Sequence, residues 1–146
     1  MSSEHAPALR ADLLGASLDL LEPHAGELAE RFYTLLFNES PELRALFPAD
    51  MARQRRAFGG TLMMIRKSLE APGLLSLYFE GLGRRHVDYG VTAAQYPVVG
   101  AALIGALAEV LGEAWTAELE GAWSEAYAAI SAAMLDAGGV QREAAA

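Results

Sequence analysis

Cysteine is absent from this 146-residue chain, which excludes disulfides, thiolate metal ligation, iron–sulfur clusters and haem attached through a Cys-x-x-Cys-His run. Any metal must then be held by nitrogen or oxygen. Positive charge is scarce as well, with 11 Lys and Arg against 19 Asp and Glu and a net charge of -8. Such a chain repels nucleic acid and anionic membrane surfaces at long range, while small molecules and basic protein patches remain open as partners. The run Met1-Ser2-Ser3-Glu4-His5-Ala6-Pro7 lacks the basic and apolar regions of a signal peptide. No uninterrupted apolar run reaches the roughly 18 residues of a membrane span. A soluble cytoplasmic protein is expected. The length suits one domain, residues 1–146, that buries about two-thirds of its unfolded surface and leaves no room for a second catalytic domain.

Period-2 strand patterns, internal repeats, low-complexity linkers and phosphate-type glycine loops are missing too, and what is present reads as helices. Leu13, Leu14, Ser17, Leu18 and Leu21 recur at helical spacing over Ala8 to Leu21, until Pro23-His24 interrupts. Leu28, Phe32, Leu35 and Leu36 define a second helix over Glu27 to Asn38, stopped by Glu39-Ser40-Pro41. A two-turn piece from Pro41 to Phe47 ends at Pro48. Ala49-Asp50 offers an N-cap for a helix from Met51 to about Leu69, with Gly59-Gly60 in its middle predicting a kink, or close approach of another helix or a flat ligand. After Ala71-Pro72-Gly73 comes a helix carrying His86, then a Gly90-Val91-Thr92 turn with Thr92 as N-cap candidate. Tyr96 to Leu111 is a long apolar helix with Gly100, Ala101, Ala102 and Gly105 suited to tight packing, and Gly112 breaks it. A last helix from about Trp115 to Leu135 ends at Gly138-Gly139, with frayed termini expected at about 1–7 and 139–146. The fold class is all-α, with six to eight helices.

His86 stands out among the polar residues. In a helix it lies one turn beyond Leu82 and two beyond Phe79, on the face that also carries Leu75, so its ring ends an apolar stripe. By spacing alone this is a core or interface histidine more often than a ligand. His5 and His24 read as surface residues, and Met63 and Met64 as core filler beside Leu62 and Ile65. Arg53, Arg55 and Arg56 form a basic spot that is usually a solvated face.

Several stretches together carry a resemblance. The run Phe32-Tyr33-Thr34-Leu35-Leu36-Phe37, then Ser40-Pro41-Glu42-Leu43, Leu46-Phe47, Leu82-Gly83-Arg84-Arg85-His86 and Tyr96-Pro97-Val98-Val99-Gly100, resembles the bacterial single-domain globins related to the haem domain of flavohaemoglobins. The likeness covers roughly Leu18 to Met134 and keeps the order of the family's landmarks. It implies a globin fold around non-covalent haem b (iron protoporphyrin IX), with His86 as the iron ligand and cofactor contacts from Phe47, Phe58 and Tyr96. It further implies a gas-binding side where Tyr33 donates a hydrogen bond to an oxygen ligand and Gln54 supports it. One of Arg53, Arg55, Arg56 or Arg85 would pair with a haem propionate.

Three departures from the family pattern qualify this picture. The loop between Phe47 and Gln54 is about three residues shorter than in flavohaemoglobins. Phe58 replaces a more usual aliphatic residue and narrows gas access. The glutamate that assists the iron-bound histidine in that family, alongside the tyrosine matched by Tyr96, falls at Gly138 when counted from Tyr127, and Asp136, the nearest carboxylate, points elsewhere around the helix. The resemblance implies reversible binding of oxygen and other diatomic gases such as nitric oxide and carbon monoxide. It also leaves open nitric oxide dioxygenation fed by a separate reductase. The alternative from another class is a haem-free globin-fold sensor or interaction module. A monomer or homodimer is expected.

Overall fold

The computed structural model describes residues 10–138, apart from the side chains at 72, 75 and 76. Six α-helices are present among the described residues: α1 (Ala11–Leu21), α2 (Ala25–Glu39), α3 (Ala52–Ser68), α4 (Pro72–Asp88), α5 (Tyr96–Leu111) and α6 (Ala117–Gly138). Short 3-10 turns fill the joints at Glu22–His24, Pro41–Leu46, Ala93–Gln95 and Gly112–Ala114, and no strand occurs among the described residues. The chain end regions expected to fray, His5, and the Leu75 side chain lie outside what is described.

Local chemistry accounts for most boundaries. Pro23 cannot continue α1, but its fixed φ suits the opening of a turn, so α1 passes through Glu22–His24 directly into α2, two residues earlier than the apolar spacing predicts. The piece from Pro41 is a 3-10 turn and not an α-helix, and it gives way to extended backbone at Phe47. Asp50 acts as expected at the start of α3: its Oδ1 accepts the Ala52 N–H at 3.0 Å, an otherwise orphan donor of the first turn. Before α5, Gln95 Oε1 accepts the Thr92 N–H at 2.8 Å. Before α6, Thr116 Oγ1 accepts from the Leu119 N–H at 3.1 Å, so that helix begins after Trp115 and not at it.

The core is a continuous aliphatic and aromatic cluster that includes Leu14, Leu28, Leu36, Leu107 and Trp123. Within it Trp123 Nε1–H donates to Ser17 Oγ at 3.0 Å and Ser17 donates to Leu14 O at 2.9 Å, which ties α6 to α1 and satisfies two buried polar groups at once. The segment Ala93–Ala114, at a mean hydropathy of 1.5, is long and apolar enough by length and composition to cross a membrane. In the fold its helical part is α5, which packs on α2 and also meets α6 and α1, although only 22% of the apolar window is buried.

Of the readings of Gly59-Gly60, a break in α3 and a close helix contact are not met, since α3 runs unbroken through both and a Cβ added at either would meet no other protein atom within 4 Å, which leaves approach of a flat ligand. Met63 is 56% exposed, on the opposite side of α3 from buried Leu62 and Ile65, and is not core filler. The tight contacts lie elsewhere. A Cβ at Gly100 would stand 2.8 Å from Tyr127 Cδ2, and one at Gly83 would stand 2.6 Å from Met134 Cα and 2.8 Å from its carbonyl carbon. Gly83 therefore lets the main chain of α6 lie against α4, one turn before His86.

Candidate functional site

The candidate residues fall into two groups, each built from different elements. In one, α2, the corner after Pro41–Leu46 and the start of α3 bring aromatic rings together. Tyr33 is 7% exposed and meets Phe47 edge-on at a centroid distance of 5.6 Å and Phe58 at 6.0 Å. Phe58 stacks on Phe32 at 4.8 Å, and Phe37 meets Phe47 edge-on at 5.3 Å. These are the offset and T-shaped arrangements that ring quadrupoles favour. Phe47 and Phe58 are only partly buried, packed against the core but not sealed by it.

A polar pair sits inside this aromatic wall. Gln54 Nε2–H donates to the Tyr33 hydroxyl oxygen at 3.1 Å. That bond uses a lone pair of the oxygen and leaves the Tyr33 proton, for which no acceptor occurs among the described residues. Burial raises the Tyr33 pKa, and the Gln54 bond offsets part of this rise, so the phenol stays protonated and able to donate at neutral pH. Tyr33 and Gln54 are 21 positions apart in the chain and come together only through the packing of α2 against α3.

In the other group His86 occupies the last turn of α4. Its Nδ1 lies 2.8 Å from Leu82 O, and because a carbonyl can only accept, Nδ1 must carry the proton. Nε2 is then the unprotonated nitrogen, with a lone pair available to a ligand. Burial lowers the His86 pKa and the nearby Arg85 charge lowers it further, against the opposing effect of the Leu82 carbonyl, so the ring is neutral at pH 7. Tyr89 and Tyr96 flank the imidazole at centroid distances of 5.7 and 6.5 Å. Tyr96 is buried, with its pKa raised by that burial, and its carbonyl accepts the Tyr127 hydroxyl at 2.6 Å, which fixes the start of α5 against α6.

The remaining candidates fall outward. Asp136 is exposed and lines a groove with Glu80, Arg84, Ala133 and Ala137 between α4 and α6, while the His86 nitrogen that an acid would assist is taken by Leu82 O. Gly138 is the last residue of α6. Arg53, Arg55, Arg56 and Arg85 are all exposed, and His24 is an exposed partner of Glu27 at 3.6 Å. No cluster of three or more His, Cys, Asp or Glu suited to a metal ion occurs among the described residues. His86 offers one neutral nitrogen, Nε2, the donor type by which a single imidazole holds haem iron.

Sequence reasoning missed Arg44, whose side chain binds the corner that carries Phe47. Its only signal was a basic residue just before a Phe-Pro step where carbonyls lack helical partners.

The family model for globins matches residues 30–134. A flavohemoprotein of Xylella fastidiosa is 34% identical over 136 residues, covering 90% of this chain and 34% of its own. That of Bordetella pertussis is 35% identical over 125 residues, covering 84% of this chain and 31% of its own. The chain thus spans about a third of the length of these relatives. An engineered carbene transferase from Rhodothermus marinus, described as a candidate nitric oxide dioxygenase, is similar with a TM-score of 0.81 at 30% identity, over 92% of this chain and 94% of that one. A bacterial globin from Campylobacter jejuni shares the fold with a TM-score of 0.79 at 24% identity, over 91% of this chain and 96% of that one.

Proposed function

This chain belongs to the globin family and has its fold, and from that premise we propose that it binds haem b through His86 and takes up diatomic gases beside Tyr33 and Gln54. The observation that carries the reading is the 2.8 Å contact of His86 Nδ1 with Leu82 O, because it fixes the tautomer and presents Nε2 as a neutral donor. When bound, haem would supply a ferrous iron for reversible oxygen binding, and conversion of oxygen and nitric oxide to nitrate there would call for one electron per turnover from a reductase.

The residues divide the remaining work. His86 holds and orients from α4. Phe47 and Phe58 supply apolar walls that exclude water, which strengthens any hydrogen bond made inside. Tyr33 offers its free hydroxyl proton to the gas, and Gln54, donating to the same oxygen, holds that hydroxyl in one place. Tyr96 packs near the imidazole and anchors α5 through its carbonyl. Nitric oxide dioxygenation is the second reading, favoured by the similarity to flavohemoproteins and to the Rhodothermus marinus protein, and it requires an electron donor.

The test is an absorption spectrum of purified protein supplied with haem, with and without His86→Ala. The expected outcome is a ferrous spectrum with a single nitrogen ligand that takes up oxygen and carbon monoxide, and loss of most bound haem in His86→Ala. An unchanged ferrous spectrum and haem affinity in His86→Ala would overturn the ligand assignment. Failure of the native protein to take up haem would favour a haem-free interaction module. Nitrate production from oxygen and nitric oxide with a supplied reductase separates turnover from storage.

A further inference from the structure

We infer that Arg44 is a positioning residue for gas binding: by pinning the corner that carries Phe47 it sets the place of the Tyr33 hydroxyl. The inference rests on the proposed function and deepens it.

The corner between the Pro41–Leu46 turn and α3 has a polar deficit. Phe47 is extended, Pro48 has no N–H, and the carbonyls of Phe47, Pro48 and Ala49 point away from any helical ladder. Arg44 makes up that deficit from a single side chain. Nη1 donates to Phe47 O at 3.3 Å and to Pro48 O at 2.8 Å, and Nη2 donates to Ala49 O at 3.0 Å. The same guanidinium lies over the Phe37 ring, 5.5 Å from its centroid. Only a planar fork with several donors can hold three consecutive carbonyls and stack on a ring together.

The aromatic contacts carry this clamp to the gas-binding pair. Phe37 meets Phe47 at 5.3 Å and Tyr33 at 5.9 Å, and Phe47 meets Tyr33 at 5.6 Å. Tyr33 is thus packed against two rings that Arg44 fixes, one through its face and one through its backbone carbonyl. Release of the corner would free Phe47 to move, and Tyr33 would lose the wall that keeps its hydroxyl within reach of Gln54.

The experiment uses the haem-loaded full chain, with oxygen and carbon monoxide as probes. Arg44→Met keeps the apolar stem and removes every donor; Arg44→Lys keeps the charge on one centre. Arg44→Met is expected to speed oxygen release by about threefold or more, with carbon monoxide release nearly unchanged and amide exchange at Phe47 and Ala52 faster. Arg44→Lys should recover part of the effect. In a Tyr33→Phe background Arg44→Met should add little, because the group it positions is gone. A merely structural role would lower thermal stability yet leave the ratio of the two gas release rates unchanged, and that result would overturn the inference. Full multiplication of the two effects in the double variant would overturn it as well. If Tyr33→Phe alone leaves oxygen release unchanged, the assignment of Tyr33 as donor fails; Arg44→Met with faster corner exchange and a changed ratio of oxygen to carbon monoxide release would then uphold positioning through Phe47, and an unchanged ratio would overturn it.

Discussion

On the Tyr33 side of the site the polar contact inside the ring cluster runs between side chains, Gln54 to Tyr33 at 3.1 Å, while Arg44 ties the adjoining corner through main-chain carbonyls. On the His86 side they run to main chain: Leu82 O holds the imidazole at 2.8 Å, and α6 backbone rests on Gly83. The Gln54–Tyr33 bond can be broken by replacing either side chain, whereas the Leu82 carbonyl and the α6 backbone cannot be substituted away and change only when a helix moves. On the proposed function, the Tyr33 side is thus open to tuning residue by residue, and the His86 side depends on how closely α4 and α6 pack.

The largest expected effect breaks the main-chain side. Gly83→Ala places a methyl group where Met134 backbone lies, with no flexible side chain to yield, so α4 and α6 must separate. Overpacking of this kind costs about 1–3 kcal/mol, or roughly 3–10 °C in thermal midpoint for a chain of this size. The movement starts one turn from His86, so haem loss should also accelerate. Thermal denaturation and haem transfer to an acceptor protein check both. A Gly83→Ala protein as stable as the native one would mean that the helices do not meet main chain to main chain.

Next in size is the side-chain contrast. Oxygen on ferrous iron carries partial negative charge and carbon monoxide is nearly neutral, so a donated hydrogen bond discriminates between them, by about 1 kcal/mol or more in a dry pocket. Tyr33→Phe should raise the oxygen release rate by about tenfold or more and leave carbon monoxide release nearly unchanged. Gln54→Leu should act in the same direction by a smaller factor, since it removes the group that holds the hydroxyl and leaves the donor itself in place. Flash photolysis and stopped-flow mixing measure both rates. The opposite order, with Gln54→Leu dominant and Tyr33→Phe silent, would make Gln54 the donor.

The same division explains what the sequence disclosed. Helices defined by apolar spacing, such as α2 with Leu28, Phe32 and Leu36, and stops made by Pro23, Pro48 and Gly112, follow from local rules that leave a mark in neighbouring residues. Asp50 was legible as a cap because its partner is two residues away. Gly83 was not, because its partner, Met134, arrives from the far end of the chain, while the more conspicuous Gly59-Gly60 pair meets no neighbouring helix. Among the candidate site residues, Tyr33 and Gln54 were proposed through resemblance and not through spacing, and the structure shows them hydrogen-bonded to each other. Arg44 escaped both routes, since its role depends on where three irregular carbonyls point.

The smallest effect concerns the proximal acid. A carboxylate that accepts from the second nitrogen of an iron-bound imidazole makes it a stronger electron donor, and flavohaemoglobins resembling this chain use a glutamate there. Here that nitrogen, Nδ1, faces Leu82 O, a neutral acceptor and a weaker partner than a carboxylate. Asp136 lies instead along the groove with Glu80 and Arg84. The iron–histidine stretch of the ferrous protein, read by resonance Raman, should accordingly fall below that of acid-assisted sites, and peroxidase-like turnover should be modest. Asp136→Asn removes the charge with little change in shape, so it should leave the stretch where it is. A high native stretch that drops in Asp136→Asn would show the carboxylate reaching His86 once haem is bound. The main-chain character of that side would then be lost, and both sides of the site would be tuned through side chains.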